Sequence, residues 1–211
     1  MFTVIFPPLQ FVKIWKTASD VCRQTISIFT IHTGRLLTFP SIRWKKRWIL
    51  FSKLKKEGKI RAIGASNVTA KIIEKYCSLG QLDVIQEKYS LLDTHIADKL
   101  LPVCQKHHVS IQAYSPLEQG LLTGKVTQDT VLSPTDVRNK NKFWAQKSRL
   151  HILNVLQKLT PYTEKYSCSL SNLIIYLTAA SLPDLHVLCG ARKPEQIIDN
   201  VKNTLPESGR S

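Results

Sequence analysis

The sequence predicts an α/β protein in which successive βα units lay down a parallel sheet, and three observations carry the prediction. Short apolar runs alternate with amphipathic stretches of helical length along residues 52–202. Each run finishes on Gly or polar residues, as at Ser66-Asn67, Gln86, Ser115 and Gly190. Helix-start and helix-stop residues punctuate the stretches in between. Four such units are visible, about half of a closed (β/α)8 barrel, which takes roughly 250 residues and carries its functional residues at the C-terminal ends of the strands.

In chain order, residues 1–51 yield no assignment beyond a strand at Ser27–Ile31, and the Trp44–Trp48 run fits no clear amphipathic period. Leu54–Lys59 closes a basic helix end at Gly58, and Ile60–Ala65 is a short strand. Thr69 caps a helix running to Leu79, stopped by Gly80. Leu82–Tyr89 is a strand, and Asp93 caps a helix from Thr94 to His107. Val109–Tyr114 is a strand ending in Ser115-Pro116-Leu117, followed by a loop from Glu118 to Lys147 rich in Gly, Thr, Asp and Asn. Helices follow at Arg149–Lys165 and Ser169–Ala180, then a last strand at Leu185–Cys189 and a last helix at Pro194–Lys202. The His107-His108 pair has no third ligand in view and reads as helix C-terminal histidines, not a metal site.

Thirty Lys and Arg face 15 Asp and Glu, a net charge of +15. That suits phosphate-bearing partners without specifying nucleic acid. No stacking motif or basic recognition helix accompanies the charge, so specific nucleic-acid recognition is not expected. Its distribution is uneven: residues 1–51 hold eight basic residues, one acid and three of the four Trp. The five cysteines (Cys22, Cys77, Cys104, Cys168, Cys189) form no CxxC pair, which argues for a reducing, cytoplasmic setting without disulfides or zinc. Phe2–Val12 is broken by two prolines and lacks the flanks of a signal peptide, and Gln24–Ile42 contains His32 and Arg35, so no membrane span is expected.

The most legible stretch is His186–Val201, HVLCGARKPEQIIDNV. An apolar run stops at Gly190, and Pro194-Glu195 opens a helix. A helix start attracts an anion, and Arg192 beside it can grip a phosphate with a bidentate fork. Together with GKIRAIGASN (58–67), YSLLD (89–93) and AYSPLEQGLLTGK (113–125), GARKPEQIIDN (190–200) resembles the aldo-keto reductase family in motif, order and spacing. The resemblance covers residues 52 to about 201. It implies the last four βα units of a (β/α)8 TIM barrel, NADPH as cofactor and aldehydes or ketones as substrates.

Carried over position by position, the resemblance gives Ser66, Asn67 and Gln86 to the nicotinamide amide, and Tyr114 to stacking on the nicotinamide ring. Ser115, Pro116, Leu117, Gln119 and Gly120 would line the pyrophosphate, with Lys125 and Arg138 as cationic partners. Gly190, Arg192, Gln196, Asp199 and Asn200 would hold the adenosine and its 2′-phosphate, Arg192 favouring NADP over NAD. Taken singly, Tyr114 reads as a barrel-mouth core residue, Gln86 as a partner for backbone groups, and Lys125 and Arg138 as solvated loop charges; the joint pattern argues otherwise.

No catalytic residue is expected here. The family's Asp, Tyr and Lys lie in the first half of the barrel, and its His sits in a segment like DLYxxHWP, where this chain reads SIFTIHTGR. New codons built from the third base of each codon and the first two of the next explain this. Trp15-Lys16 and Trp44-Lys45 then force Glu, Trp48-Ile49 forces Asp, Gln24-Thr25 allows only Asp or Asn, and Phe29-Thr30 only Tyr or His. Residues 10–35 re-read as IRKDLENSLRRLPTDYIDLYHTHWP and residues 44–49 as EETMD. Residues 1–51 are therefore expected to be an out-of-frame translation, and 52–205 the C-terminal half of a reductase barrel. The closing NTLPESGRS does not resemble the family's final helix, so the end is expected to be truncated too. Half a barrel leaves two open strand edges, so the chain is expected to be unstable or to self-associate through them. The competing outcome is an inactive NADP-binding fragment or a pseudogene-like product without function.

Overall fold

A computed structural model describes residues 28–32 and 42–201. The expectations on Phe2–Val12, on most of the re-read segment and on the closing NTLPESGRS lie outside the described residues. The fold is α/β, with strands β1 (Ile28–His32), β2 (Ala62–Ser66), β3 (Val84–Lys88), β4 (Ser110–Tyr114) and β5 (Leu185–Leu188) in the sheet order β1-β2-β3-β4-β5. Helices are α1 (Ile42–Lys56), α2 (Ala70–Cys77), α3 (His95–Lys99), α4 (Leu101–His107), α5 (Gln146–Gln157), α6 (Thr160–Lys165), α7 (Leu170–Ala180) and α8 (Pro194–Val201). The described residues form two compact units: one holds those up to Glu87 with His95–Gln112, the other Lys88–Thr94 with those from Ala113 onward.

In the first unit β1 pairs parallel with β2, from Ile28 opposite Ala62 to His32 opposite Ser66. β2 pairs parallel with β3, setting Ser66 opposite Gln86. Asp83 links the layers: its carboxylate accepts from Lys55 Nζ at 2.6 Å and from the Ile63 N–H at 2.7 Å, and its carbonyl accepts from Ser110 N at 3.0 Å. The buried residues Ile63, Ala65, Ile85 and Ile111 are apolar, as a parallel sheet covered by helices requires.

Helix α1 begins at Ile42, ten residues before the regular pattern was expected to start. Trp48 and Phe51 are buried while Ile49 is exposed, and the Trp48 ring stacks on Tyr76 of α2 at 4.9 Å. The buried residues lie ahead of Ser52, and only half-buried or exposed ones follow it within the helix, so the stretch after Ser52 does not show the buried face. The helix expected over 94–107 is two, α3 and α4, because Pro102 sits in the first turn of α4 and has no N–H to continue α3. His108 closes α4 in the left-handed region, and His107 Nε2 lies 2.6 Å from Glu74 Oε2.

In the second unit the expected helix 149–165 likewise divides at Pro161 into α5 and α6. Ser169 caps α7 by accepting from the Asn172 N–H. The core joins Leu121, Leu122, Trp144, Ile152, Leu156 and Ile174. Gly124, at φ +76°, lies where an added Cβ would stand 3.2 Å from Leu170 Cδ2, so its lack of a side chain lets the loop close on α7. Among the described residues no helix is long and apolar enough to cross a membrane, and no group of three or more His, Cys, Asp and Glu is placed to hold a metal.

Candidate functional site

In the first unit the ends of β2 and β3 bring Ser66, Asn67 and Gln86 together. Asn67 Nδ2 donates to Ser66 Oγ at 3.0 Å, and the Asn67 N–H donates to the Gln86 carbonyl at 3.1 Å. Asn67 is left-handed at φ +54°, a conformation Asn tolerates better than most residues. Gln86 Nε2 donates to Gln112 Oε1 of β4 at 3.3 Å. These carboxamides at strand ends offer both donors and acceptors, the chemistry that a neutral amide ligand needs.

Glu87, the next residue on β3, faces the opposite way, as strand alternation dictates. It is buried, and its Oε1 accepts from the Val68 N–H at 2.6 Å. Burial raises its carboxyl to about 7, against the opposing pull of the Val68 hydrogen bond, His95 and the Asn67 backbone.

In the second unit β4 runs into a sharply folded loop. Ser115 (φ +61°), Glu118 (φ +44°), Gln119 (φ +57°) and Gly120 (φ +95°) are all left-handed. Pro116 is buried, Tyr114, Ser115 and Leu117 are half-buried, and Gln119 is exposed. The turns close through Glu118 N–H to the Ser115 carbonyl at 3.0 Å and Gly120 N–H to the Leu117 carbonyl at 2.9 Å. Non-glycine residues persist in such conformations only where their surroundings hold them.

Here the holding group is Glu118, fully buried. Its Oε1 accepts from Ser90 Oγ at 2.6 Å, and its Oε2 lies 3.0 Å from Lys88 Nζ and accepts from Asn141 Nδ2 at 3.1 Å. Its carbonyl accepts from the Trp144 indole N–H at 3.1 Å. Burial alone would depress the Lys88 ammonium, but hydrogen bonds and charge from Glu118 and then Asp93 outweigh it and leave its pKa raised.

Asn141 extends the network outward, since its Nδ2 also donates to Gln119 Oε1 at 3.1 Å. The Asn141 N–H donates to the Arg138 carbonyl at 3.0 Å. Arg138 lies over the Trp144 ring at 4.7 Å, and its guanidinium forks onto Asp136, with Nε–Oδ1 at 2.9 Å and a second nitrogen to Oδ2 at 2.6 Å. Those hydrogen bonds, and more weakly the charge of Arg192, hold the Asp136 carboxyl down at about 2.

At the start of α8, Gln196 reaches back: its Oε1 accepts from the Arg192 N–H at 2.7 Å and the Lys193 N–H at 3.1 Å. This is the reciprocal half of a capping box, so those two N–H groups already have a partner. Asp199 Oδ2 accepts from Ser169 Oγ at 2.7 Å, and its carbonyl accepts from Asn172 Nδ2 at 2.8 Å, fastening α8 to α7. Gly190, Arg192 and Lys125 are exposed, and Asn200 is half-buried.

The second unit therefore joins Gln119 to Arg138 through Asn141, and Arg138 to Asp136. The N–H groups of Glu118, Gly120, Arg192 and Lys193 are already paired within the fold, so the exposed cations Lys125 and Arg192 are the donors that fit a phosphate-bearing dinucleotide here. Glu87, Gln112, Glu118, Asp136 and Asn141 were not anticipated. For Glu118 a signal existed: a lone acid inside the otherwise uncharged run Pro116 to Gly124.

Residues 24–206 match the model of the Aldo/keto reductase family, a span that begins ahead of Ser52 and includes β1. The chain is 42% identical over 153 residues to an NADH-specific methylglyoxal reductase of Escherichia coli, covering 72% of this chain and 46% of that protein. It is 31% identical over 144 residues to an aldo-keto reductase of Bacillus subtilis, covering 66% and 43%. The chain thus spans about half the length of the curated relatives it matches. Among solved structures, a glycerol dehydrogenase from Gluconobacter oxydans gives a TM-score of 0.77 at 25% identity, over 94% of this chain and 60% of that one. An aldo/keto reductase from Brucella melitensis shares the fold at a TM-score of 0.61 and 19% identity, over 92% and 60%. With its strand-end motifs, its parallel sheet and a match over most of its length, the chain belongs to the aldo/keto reductase family of oxidoreductases.

Proposed function

We propose that this chain binds NADP(H) and that, assayed alone, it does not reduce carbonyls. The observation that supports the reading is the chain of hydrogen bonds from Gln119 through Asn141 to the Asp136–Arg138 pair. Ser115, Pro116, Leu117, Gln119 and Gly120 present the loop to the pyrophosphate, with Lys125 and Arg138 as its cations. Gly190, Arg192, Gln196, Asp199 and Asn200 form the adenosine end, where Arg192 grips the 2′-phosphate. Tyr114 stacks on the nicotinamide, and Ser66, Asn67 and Gln86 take its amide. When bound, the cofactor would supply a hydride to a carbonyl carbon. Reduction also needs a general acid at the carbonyl oxygen, and no position matched to the family motifs in this chain supplies one.

The test is titration of Trp144 and Tyr114 fluorescence with NADPH and with NADH, beside a turnover assay with methylglyoxal, taken from the similarity to the Escherichia coli enzyme. Saturable NADPH binding without turnover is expected; measurable kcat, or no saturable binding, rejects the reading. NADH is the competing ligand, because the similar Escherichia coli enzyme is NADH-specific. Two further proposals accompany it. Nucleic-acid binding by the basic N-terminal region is nonspecific and disappears at moderate salt. The terminal strands of the sheet promote self-association, read as a concentration-dependent mass in light scattering.

A further inference from the structure

We infer that Glu118 is a positioning residue whose buried carboxylate, tied to Asn141, sets the Ser115–Gly120 loop for the pyrophosphate of a dinucleotide. The inference rests on the reading of this loop as the pyrophosphate site. Three non-glycine residues, Ser115, Glu118 and Gln119, are left-handed within five positions. Such a loop does not hold its shape by local preference, and a cofactor that meets its backbone needs one shape held before binding.

Glu118 supplies the constraint from below. Its side chain is fully buried, and Ser90 and Lys88 take one oxygen each. Removing a carboxylate so deeply paired leaves Lys88 with Asp93 at 3.3 Å and the Phe143 ring at 5.5 Å. Above, Asn141 Nδ2 is shared between Glu118 Oε2 and Gln119 Oε1, both at 3.1 Å. One carboxamide thus couples the buried anchor to the exposed side chain at the loop tip. The same Asn141 caps the turn before Trp144, its Oδ1 accepting from the Phe143 N–H at 3.0 Å.

This arrangement permits a polarity-swap experiment. Glu118→Gln removes the charge and sets an amide of uncertain facing against Asn141 Nδ2. Asn141→Asp keeps the cap on Phe143 but sets a carboxylate against Glu118. In the double variant the new carboxamide donates to the new carboxylate and the net charge equals that of the wild type, but the carboxamide nitrogen then stands where Lys88 Nζ had an acceptor, so only the bond to position 141 is restored. Gln119 is exposed and can turn its amide to follow.

The probes are 2′-phospho-ADP-ribose, which carries the pyrophosphate, and adenosine 2′-monophosphate, which does not. Affinities are read by calorimetry, with circular dichroism to check the fold. Each single variant is expected to bind 2′-phospho-ADP-ribose about tenfold more weakly, with adenosine 2′-monophosphate within about twofold, a pattern of lost positioning at one site. The double variant is expected to recover part of the loss, because coupled partners are not additive and the bond to position 141 returns while the Lys88 pair does not. Wild-type affinity for both probes in both single variants overturns the inference. Equal loss for both probes also overturns it, since that marks a general loosening of the fold, and so does a double variant no better than the singles. Should the wild type bind neither probe, the cofactor reading itself falls, and the wild-type control shows which of the two has failed.

Discussion

The Val68 N–H donates to Glu87 Oε1 across 2.6 Å, and both residues are buried. This bond ties the turn after Asn67 to the helix-facing side of β3. Burial holds the Glu87 proton to about 7 against a usual 4.5. The folded state therefore keeps a proton that the unfolded chain loses near 4.5. Stability contributed by this group is present below pH 4.5, falls as pH rises from 4.5 to 7, and is flat above. Each pH unit of displacement is worth about 1.4 kcal/mol, so the fall is on the order of 3 kcal/mol at most. Urea unfolding at pH 5, 6, 7 and 8 measures it. Glu87→Gln is expected to remove most of the decline between pH 5 and 7; an unchanged slope in that variant would show that another group titrates.

Gly80 faces Trp48, where an added Cβ would stand 2.9 Å from the indole Nε1. Among the described residues that buried nitrogen has no hydrogen-bond partner. Gly80→Ala pushes on a ring already clamped against Tyr76 and is expected to cost about 1–3 kcal/mol, as overpacking does. Trp48→Ala empties the same site and is expected to cost about 3–5 kcal/mol. Both are read by denaturant midpoint. If Trp48→Ala leaves the midpoint unmoved, α1 does not pack as described, and the region ahead of Ser52 contributes nothing to the core.

Those two sites show where the sequence was readable and where it was not. β2 to β5 lie close to their expected positions because each is a short apolar run closed by Gly or polar residues. The helix pairs at Pro102 and Pro161 were read as single helices because their apolar stripes continue; the missing proline N–H divides them. α1 was missed because its buried residues, Trp48 and Phe51, precede Ser52 while its basic end follows it. At the site, Ser66, Asn67 and Gln86 converge because they close neighbouring strands. Glu118 and Asn141 are 23 residues apart and meet only in three dimensions, at 3.1 Å. Their coupling leaves no periodic trace.

Asp136 occupies the guanidinium of Arg138, and the charge of Arg192 is the weakest of the influences on its carboxyl. The hydrogen bonds from Arg138 hold its carboxyl at about 2, so it stays anionic through the neutral range. A carboxylate there opposes a 2′-phosphate and is indifferent to a 2′-hydroxyl. Asp136→Asn is therefore expected to tighten NADPH relative to NADH by about two- to fivefold, the scale of an exposed charge interaction. The gain should shrink as salt rises. Competition of the two cofactors in fluorescence titrations measures the ratio, and an equal change for both removes Asp136 from any part in selectivity.

β1 runs parallel to β2 at Ile28–His32, and the shifted frame re-reads this stretch as part of DYIDLYHTHWP. Trp codons force some re-read residues whatever the gene contains, so the unforced positions must decide whether this segment is an out-of-frame translation. For Asp to arise across Ser27-Ile28, Ser27 must be encoded by TCG. For His across His32-Thr33, the His32 codon must end in C. For Trp across Thr33-Gly34, the Thr33 codon must end in T, and Pro across Gly34-Arg35 needs a Gly34 codon ending in C and an Arg35 codon beginning with C. These third bases are silent in the translated chain, so selection on the protein has no reason to arrange them together. The nucleotide sequence upstream of Ser52 is expected to show all four, with no stop codon in the shifted frame. A stop codon there, or third bases that spell none of these residues, would mean that the basic, Trp-rich segment was encoded in its own right, and that Trp48 was placed against Tyr76 by selection on this protein.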